Sequence, residues 1–304
     1  MTSMVISSGV TSDGGGNTSS YDQTAIYGTA TNYVFDTSNL NVLSGGAITS
    51  STVMKGNFSA SSGSLIEDVT FTGAATYNIK GSAQDVTLLS AGILLISGTA
   101  TNATVSGGGQ AQISGSASNL TIQSLNSGNQ VALGYISSGS VVSGLQVSGY
   151  AGAYASSGST VSGVTLGGGN GATGNLSAYN GANIYDVVVH SGGVYRPTAY
   201  TNSVTVDGGQ VVLSSGSVTD VVNDETGQTA KSTVSALSGA TVGSATVDGW
   251  SKFYISGGTV SSLTASNVTR GCYALWMSRL AAFLSMKPAK AMVCIAASVE
   301  AQRS

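Results

Sequence analysis

Length, composition and charge already narrow what this chain can be: it has 304 residues, 43 of them glycine, only 8% are charged, and the net charge is −3. Nucleic-acid phosphates attract clustered Lys and Arg, and no basic stripe occurs here, so we expect no nucleic-acid partner. The regularly spaced Val, Ile and Leu residues described below also exclude a Gly/Ser-rich linker.

The first 50 residues contain short apolar and Gly-rich segments without a regular spacing, for example VISSG, YGTATNYVF and NVLSGGAITS. We predict that residues 1–50 form irregular capping rungs, because the terminal units of a repeat protein must cover its exposed end. The opening, MTSMVISSGVTSDGGG, has neither a basic segment nor a long apolar run, so the sequence predicts no ordinary secretory signal there.

Residues 51–266 are built from one repeated unit, which is clearest between Asp85 and Gln123. Each unit has an apolar triplet, a turn of small residues, a second apolar strand and a Ser-Gly turn. The first and third triplet residues are mostly apolar and the middle one is mostly Thr, which is typical of a half-buried strand with the Thr facing outward. The triplets are 17 to 25 residues apart and begin at Thr52, Val69, Val86, Ala103, Leu120, Leu145, Val164, Val187, Val204, Val221, Ala245 and Leu263.

A single unit of this size cannot cover its own apolar side chains, whereas stacked units bury them in continuous columns. We therefore predict an all-β fold, a right-handed parallel β-helix (β-solenoid) with about twelve rungs, one rung being one turn of the coil. The register places Leu95 and Ile113 inward. On this basis Leu95→Asp should be strongly destabilising, whereas Ala172→Asp, in a lengthened unit, should be nearly neutral.

Three units carry insertions between the triplet and the Ser-Gly turn, through the segments NSGNQVALGY, GGGNGATGN and NDETGQTAK. Because the distance from the turn glycine to the next triplet stays at five or six residues, these insertions should project from one corner of the coil. Two interpretations stay open, namely surface insertions that the fold tolerates and a binding surface made of gathered loops.

Residues 267–304 have a different composition and form a non-repeat tail. From Val268 onward there are five basic residues against one acid, and both cysteines, Cys272 and Cys294, occur there. Ala, Leu and Met favour a helix, and Pro288 limits it to Cys272–Met286, which is too short to span a bilayer. A capping helix, a disordered or foreign extension and a membrane-surface helix remain open for this tail.

The acidic residues have the positions of turn residues rather than of a catalytic pair. A polysaccharide-cleaving β-helix needs paired carboxylates, or carboxylates beside Arg or Lys, on one face. Here Asp and Asn alternate at the position just before a triplet, which suits a turn and not catalysis: Asp68, Asp85, Asn102, Asn119, Asp186 and Asp220. The sequence therefore predicts no catalytic residue.

The other candidate sites also have simpler explanations. His190, the single histidine, follows a triplet, and we interpret it as a surface residue rather than a metal ligand or part of a Ser-His pair. The outward Thr column could form an ice-binding or glycan-contacting ladder, but a flat ice-binding face needs two adjacent Thr columns. We interpret these threonines as ordinary exposed strand residues, and we predict no metal site and no cofactor.

The segments LSGGAITSSTV, SGTATNATVSGGGQ, YISSGSVVSG and VDGGQVVLSSGSVTDVV resemble the stalk repeats of autotransporter adhesins of the diffuse-adherence (AIDA) type. The resemblance covers Asn41 to Ala265 and lies in the order of the repeat: a Gly pair, an apolar strand, a Ser-Ser-Gly turn and a Thr-containing triplet. It implies a surface-exposed parallel β-helix with a role in adhesion or self-association.

The resemblance also implies that serines near the turns are candidate O-glycosylation acceptors, and the matching residues are Ser61, Ser62, Ser137, Ser138, Ser156, Ser157, Ser214 and Ser215. The functional hypothesis is a non-enzymatic bacterial surface adhesin or stalk, located extracellularly or at the cell surface. Its expected partners are a host or neighbouring cell surface, like molecules on adjacent cells, and a glycosyltransferase. The alternative is a polysaccharide-degrading β-helix enzyme, a lyase or a hydrolase.

Overall fold

The structure, a computed structural model, describes residues 2–16, 18–124, 131–168, 172–223, 232–249, 251–266, 275–276 and 283–286. Regular secondary structure in these residues consists of β-strands, and none of them is helical. The chain divides into two compact units: unit 1 is Met1–Gln146 with Tyr150–Ala153, and unit 2 is Val147–Gly149 with Tyr154–Ser304. Each unit is a parallel β-solenoid, as the sequence predicts.

The strands of unit 1 are β1 Ser3–Ile6, β2 Thr11–Asp13, β3 Thr18–Ser19, β4 Gln23–Ile26, β5 Thr29–Thr31, β6 Val34–Val42, β7 Ala47–Ala60, β8 Leu65–Phe71, β9 Thr76–Ile79, β10 Ser82–Leu88, β11 Ile93–Ile96, β12 Thr99–Thr101, β13 Thr104–Val105, β14 Gln110–Ile113, β15 Ser116–Ser124 and β16 Ala132–Ile136. Two strands contain residues of both units, β17 Val141–Gly149 and β18 Ala151–Ala155.

The remaining strands belong to unit 2. They are β19 Thr160–Gly167, β20 Gly174–Ala178, β21 Asn183–His190, β22 Gly193–Pro197, β23 Tyr200–Asp207, β24 Gln210–Leu213, β25 Gly216–Asn223, β26 Thr233–Leu237, β27 Ala240–Asp248, β28 Lys252–Ser256, β29 Thr259–Ser266, β30 Leu275–Trp276 and β31 Phe283–Met286.

Equivalent residues of successive sequence repeats pair with each other, so the predicted triplet register is confirmed for most of the repeats. In unit 1, Val69 pairs with Val86, and Thr104 pairs with both Thr87 and Thr121. In unit 2, paired residues form the continuous column Val164, Val187, Val204, Val221, Ala245 and Leu263. Strands stacked in this way give every inward side chain a neighbour in the adjacent rungs, which is how short strands reach a buried core.

The first triplet is one residue out of the predicted register. Ser51, not Thr52, pairs with Val69, and Thr52 pairs with Thr70. Ser51 is buried because its polar groups are satisfied: its hydroxyl donates to the Thr49 carbonyl at 2.7 Å and accepts the backbone N–H of Tyr33 at 3.0 Å. An apolar residue was expected at this position, and a hydrogen-bonded serine takes its place.

The core consists of inward columns of aliphatic residues together with buried aromatic residues. Each fully buried aliphatic side chain contributes roughly 1.5–3 kcal/mol. In unit 1, Phe71 packs between Phe58 and Tyr77, with ring centroids 5.1 and 4.4 Å apart. The Tyr77 hydroxyl donates to the Gly73 carbonyl at 2.6 Å, so its polar end is not left unpaired in the core.

The inward assignment of Leu95 is wrong, whereas that of Ile113 is confirmed. Ile113 is fully buried, but β11 buries Leu94 and Ile96 and leaves Leu95 half-exposed. Leu95 pairs with Asn78 and Gln112, so it lies in an outward, otherwise polar column. The sequence ILLI is apolar at all four positions and does not alternate, so a one-residue shift of the strand was not visible within it.

The expectation for Ala172 is also wrong. This residue belongs to an insertion but is only 7% exposed. A Cβ atom on Gly168 would overlap the Ala172 carbonyl oxygen, so the two backbone segments pass close to each other here. Ala172→Asp would therefore place a charge against the protein interior. Most of the residues of the three insertions lie outside the described ranges.

Parallel pairing also reaches residues before and after the regular repeat. Ser3 pairs with Gln23, Gln23 with Asn39, and Thr29 with Ala47, which are offsets of 16 to 20 residues. In the tail, β30 pairs with β28, and β31 pairs with β29. These six tail residues are strand rather than helix, and the other residues of Cys272–Met286 lie outside the described ranges. The open end of a rung provides backbone groups with which an extended segment pairs.

Candidate functional site

The geometry of the serine turns gives the serines within one turn different solvent exposures. In Ser61–Ser64, the Ser64 N–H donates to the Ser61 carbonyl at 3.1 Å, and Gly63 has a φ of 79°. These features define a β-turn whose third residue needs a left-handed backbone, which glycine adopts at no steric cost. The turn therefore requires Gly63 and leaves the residue before it at the tip.

The same turn recurs at Ser137–Ser140 and Ser156–Ser159, with hydrogen bonds of 3.2 and 3.1 Å and a glycine φ of 79° in each. In all three turns the second serine is exposed, the first is half-buried and the fourth is buried. The fourth serine is also hydrogen-bonded; for example, the Ser159 hydroxyl donates to the Ser156 carbonyl at 2.6 Å. The reactive hydroxyls that remain accessible are those of Ser62, Ser138 and Ser157.

The fourth candidate pair, Ser214–Ser215, has a different geometry. Ser214 is exposed and Ser215 half-buried, so the first serine is the accessible one. The structure thus divides the eight predicted acceptors into four exposed residues, Ser62, Ser138, Ser157 and Ser214, and four half-buried ones, Ser61, Ser137, Ser156 and Ser215.

Within each unit the turns are stacked at one corner. In unit 1, the first backbone N–H of the turn donates to the carbonyl oxygen of the last strand residue in the preceding rung, at 2.8 to 2.9 Å. The donors are Ser61, Lys80, Ser97, Ser114 and Ser137. In unit 2, Tyr179 and Thr198 make the same bond to Ala155 and Ala178, at 2.9 and 2.7 Å. Neighbouring rungs are about 4.8 Å apart, so the turns form a closely spaced column.

Two exposed serines of this corner were not among the acceptors predicted from the sequence. Ser97 and Ser114 are exposed and lie in the same column as Ser61 and Ser137. They belong to short turns with one serine before the glycine, and the search for a Ser-Ser-Gly motif did not find them. The signal that could have found them is the constant position of Ser-Gly in the repeat.

The Asp and Asn residues that precede the triplets occupy turns between strands, where they adopt an unusual backbone conformation. Asp68, Asp85, Asn102, Asn119 and Asp186 have φ between 51° and 54°, in the left-handed region that Asn and Asp tolerate better than most residues. The side chains of successive rungs are linked, since the Asn119 amide donates to Asn102 at 2.9 Å and the Asn102 amide donates to Asp85 at 2.7 Å. This arrangement supports the interpretation of these residues as turn residues.

Asp220 and His190 also have neighbours that account for their positions. Asp220 accepts the Ser244 hydroxyl at 2.6 Å. His190 is exposed, and its Nδ1 lies 3.4 Å from an Asp207 carboxylate oxygen, also exposed. Within the described ranges, no three His, Cys, Asp or Glu residues are grouped so that they could hold a metal ion, and no described helix is long and apolar enough to cross a membrane.

Comparisons with known proteins found similarity at the level of structure. No family model and no curated protein matches the sequence. Among solved structures, the chain is similar to the crystal structure of a TibC-catalyzed hyper-glycosylated TibA55-350 fragment, with a TM-score of 0.49 and 20% identity over 93% of this chain and 99% of that chain. A likeness of this size carries no conclusion about what this chain does.

Proposed function

We propose that this chain is a non-enzymatic bacterial surface adhesin or stalk, in which the β-solenoid units present turn serines as O-glycosylation acceptors. The observation that carries the proposal is the difference in exposure between serines of the same turn. The second serine is exposed at the tip, whereas the fourth is buried and hydrogen-bonded. A transferase acting on the folded chain would reach only the first kind.

The order of the repeat supports the proposal, because it resembles adhesin stalk repeats across Asn41 to Ala265. The contacts of the acidic residues support it as well, since turns and inter-rung hydrogen bonds account for their placement without a catalytic role. In this proposal the chain lies at the cell surface, where its partners are another cell surface or like molecules, together with the glycosyltransferase that modifies it.

The test is to produce the chain together with a bacterial protein O-glycosyltransferase and to locate the added sugars by peptide mass spectrometry. We expect sugar on Ser62, Ser138, Ser157 and Ser214. The buried serines of the same turns, Ser64, Ser140 and Ser159, serve as internal controls and should carry none. Equal modification of tip and buried serines would show that the fold does not select the acceptor.

A second measurement tests the adhesive role directly. Bacteria that display the chain should settle and adhere to surfaces more than bacteria that do not. Cleavage of pectin, alginate or a similar polysaccharide that is lost on changing one aspartate would instead overturn the proposal in favour of a β-helix enzyme.

A further inference from the structure

Unit 2 carries a compact array of uncharged side chains on its outward face, called here the tyrosine grid. It consists of six residues on three paired strands: Asn183 and Tyr185 on β21, Tyr200 and Asn202 on β23, and Ser217 and Thr219 on β25. Tyr200 pairs with Asn183 on one side and with Ser217 on the other. The flanking pairs Ile184–Thr201 and Val187–Val204 place Asn202 next to Tyr185.

The grid faces solvent because the residues between its members face the core. Ile184, Thr201 and Val218 alternate with the grid residues along the three strands, and all three are buried. Strands lie about 4.8 Å apart, and alternate residues of a strand lie about 6.7 Å apart. The grid is therefore a nearly flat patch with room for a short oligosaccharide rather than a closed pocket.

The two tyrosine rings are held in place before any ligand arrives. Their centroids are 6.4 Å apart at an interplanar angle of 72°, an edge-to-face contact. The Tyr200 hydroxyl also lies 3.3 Å from the Thr219 hydroxyl, while 40% of the residue stays exposed. A tyrosine fixed in this way offers a large contact area and loses little conformational freedom on binding.

The amide groups of the grid are available to a ligand. Asn183 and Asn202 are exposed, and their side-chain amides make no hydrogen bond to another described residue. In unit 1, by contrast, the side-chain amides of Asn102 and Asn119 each donate a hydrogen bond to the neighbouring rung. Each free amide provides two donors and one acceptor oxygen, a set that matches vicinal hydroxyl groups.

Charge at the edge of the grid selects among ligands of this kind. None of its six residues is charged. The carboxylates nearest in sequence, Asp186 and Asp220, follow Tyr185 and Thr219, and each accepts a serine hydroxyl, at 3.0 and 2.6 Å. These negative groups repel an acidic ligand and accept hydrogen bonds from a neutral one.

From this juxtaposition of paired tyrosines, unpartnered amides and flanking carboxylates, we propose that the tyrosine grid binds an uncharged glycan. The C–H face of a pyranose ring packs on the exposed tyrosine surface, and its hydroxyls bond with Asn183, Asn202 and Thr219. The site deepens the proposed adhesive role and rests on it for its biological setting, but it is distinct from the serine turns.

The experiment uses the full chain on an array of uncharged hexose and N-acetylhexosamine oligosaccharides, with sialylated and uronic-acid oligosaccharides on the same array. We expect binding to uncharged members only. Tyr200→Ala should weaken it about tenfold, the equivalent of one aromatic contact. Tyr27→Ala, which removes a similarly exposed tyrosine of unit 1, is the matched control and should leave the affinity unchanged.

Three results would overturn the proposal: no binding to any uncharged glycan, binding that Tyr200→Ala and Tyr27→Ala affect equally, or preferred binding to acidic glycans. Concentration-dependent association of the chain that Tyr200→Ala abolishes would assign the grid to a second copy instead. If displayed chains promote adhesion but bind no uncharged glycan, only this proposal fails. If they bind glycan but promote no adhesion, only the adhesive role fails.

Discussion

Adjacent residues of the same type have opposite environments in this protein, because the side-chain direction reverses from Leu88, the last residue of β10, to Leu89, the first residue after it. Leu88 is fully buried in the core column, while Leu89, the next residue, is 52% exposed. Both positions hold leucine, so residue type does not explain the difference in exposure. The difference between the two lies entirely in the direction of the side chain.

This contrast leads to a stability prediction at the residue scale. Leu88→Asp would bury an unpaired carboxylate between stacked rungs and should lower the free energy of unfolding by about 4 kcal/mol or more. Leu89→Asp should change it by no more than about 0.5 kcal/mol. Urea denaturation followed by circular dichroism measures both, and equal midpoints would contradict the inward assignment of the triplet.

The residues that sequence reasoning misplaced are those without a local pattern. The triplets were located correctly from Val69 onward because apolar residues and Thr alternate in them. Leu95 was not, because only its partners Asn78 and Gln112 show that its column is polar. Ser51 is buried with two hydrogen bonds, one to Thr49 and one to Tyr33, and no local propensity encodes the second partner, which is 18 residues away.

At the scale of elements, glycine has two different functions in the turns. Gly139 provides a left-handed backbone, with φ of 79°, and a Cβ there would meet nothing within 4 Å. Gly115 allows close approach, since its Cβ would overlap the carbonyl oxygen of Gly98 in the rung before it. Both glycines precede a triplet in the repeat, but Gly115 follows one serine and Gly139 follows two.

The two glycines should therefore differ in their tolerance of a methyl group. Gly139→Ala should cost about 1–2 kcal/mol, the penalty of a left-handed backbone for an L-residue. Gly115→Ala should cost more, at or above the upper end of the roughly 1–3 kcal/mol range for overpacking, because two paired strands must separate. Thermal unfolding of the two variants provides the comparison, and a larger loss for Gly139→Ala would contradict it.

The candidate site was predictable in position but not in accessibility. The repeat placed serines at the Ser-Gly turns, which is where the structure has them. It did not reveal that Ser62 is exposed while Ser61 is half-buried, because that difference arises from the hydrogen bond that closes the turn. It also missed the tyrosine grid, since Tyr185 and Tyr200 lie in different repeats of the sequence and are brought together only by the pairing of β21 with β23.

At the scale of the whole molecule, buried tyrosines rather than ion pairs should set the pH dependence of stability. The ion pair of Lys55 and Asp36 and the contact of His190 and Asp207 are at the surface, where such pairs contribute about 0–1 kcal/mol. Burial raises the pKa of Tyr77 and of Tyr195, and the opposing effects of their hydrogen bonds to Gly73 and Thr201 are smaller.

An unfolded tyrosine loses its proton near pH 10, at about its ordinary pKa. Above that pH the folded state holds more protons than the unfolded state, so the free energy of unfolding should fall as the pH rises. Melting temperatures measured between pH 8 and pH 11 should show this decline, which should be shallower in Tyr195→Phe. Tyr179→Phe, at an exposed position, is the control; equal slopes in the two variants would contradict the prediction.

The occurrence of long and short turns on paired strands shows how the sequence can change in evolution without disturbing the core. Ile113 ends the strand before a short turn, Ile136 ends the strand before a long one, and the two residues still pair. Ala60 and Ile79 pair in the same way, in the reverse order of turn length. A short insertion can thus lengthen a turn, and a deletion can shorten it, while the core residues keep their partners. The length and the residues of the exposed turns are therefore free to vary without a redesign of the interior.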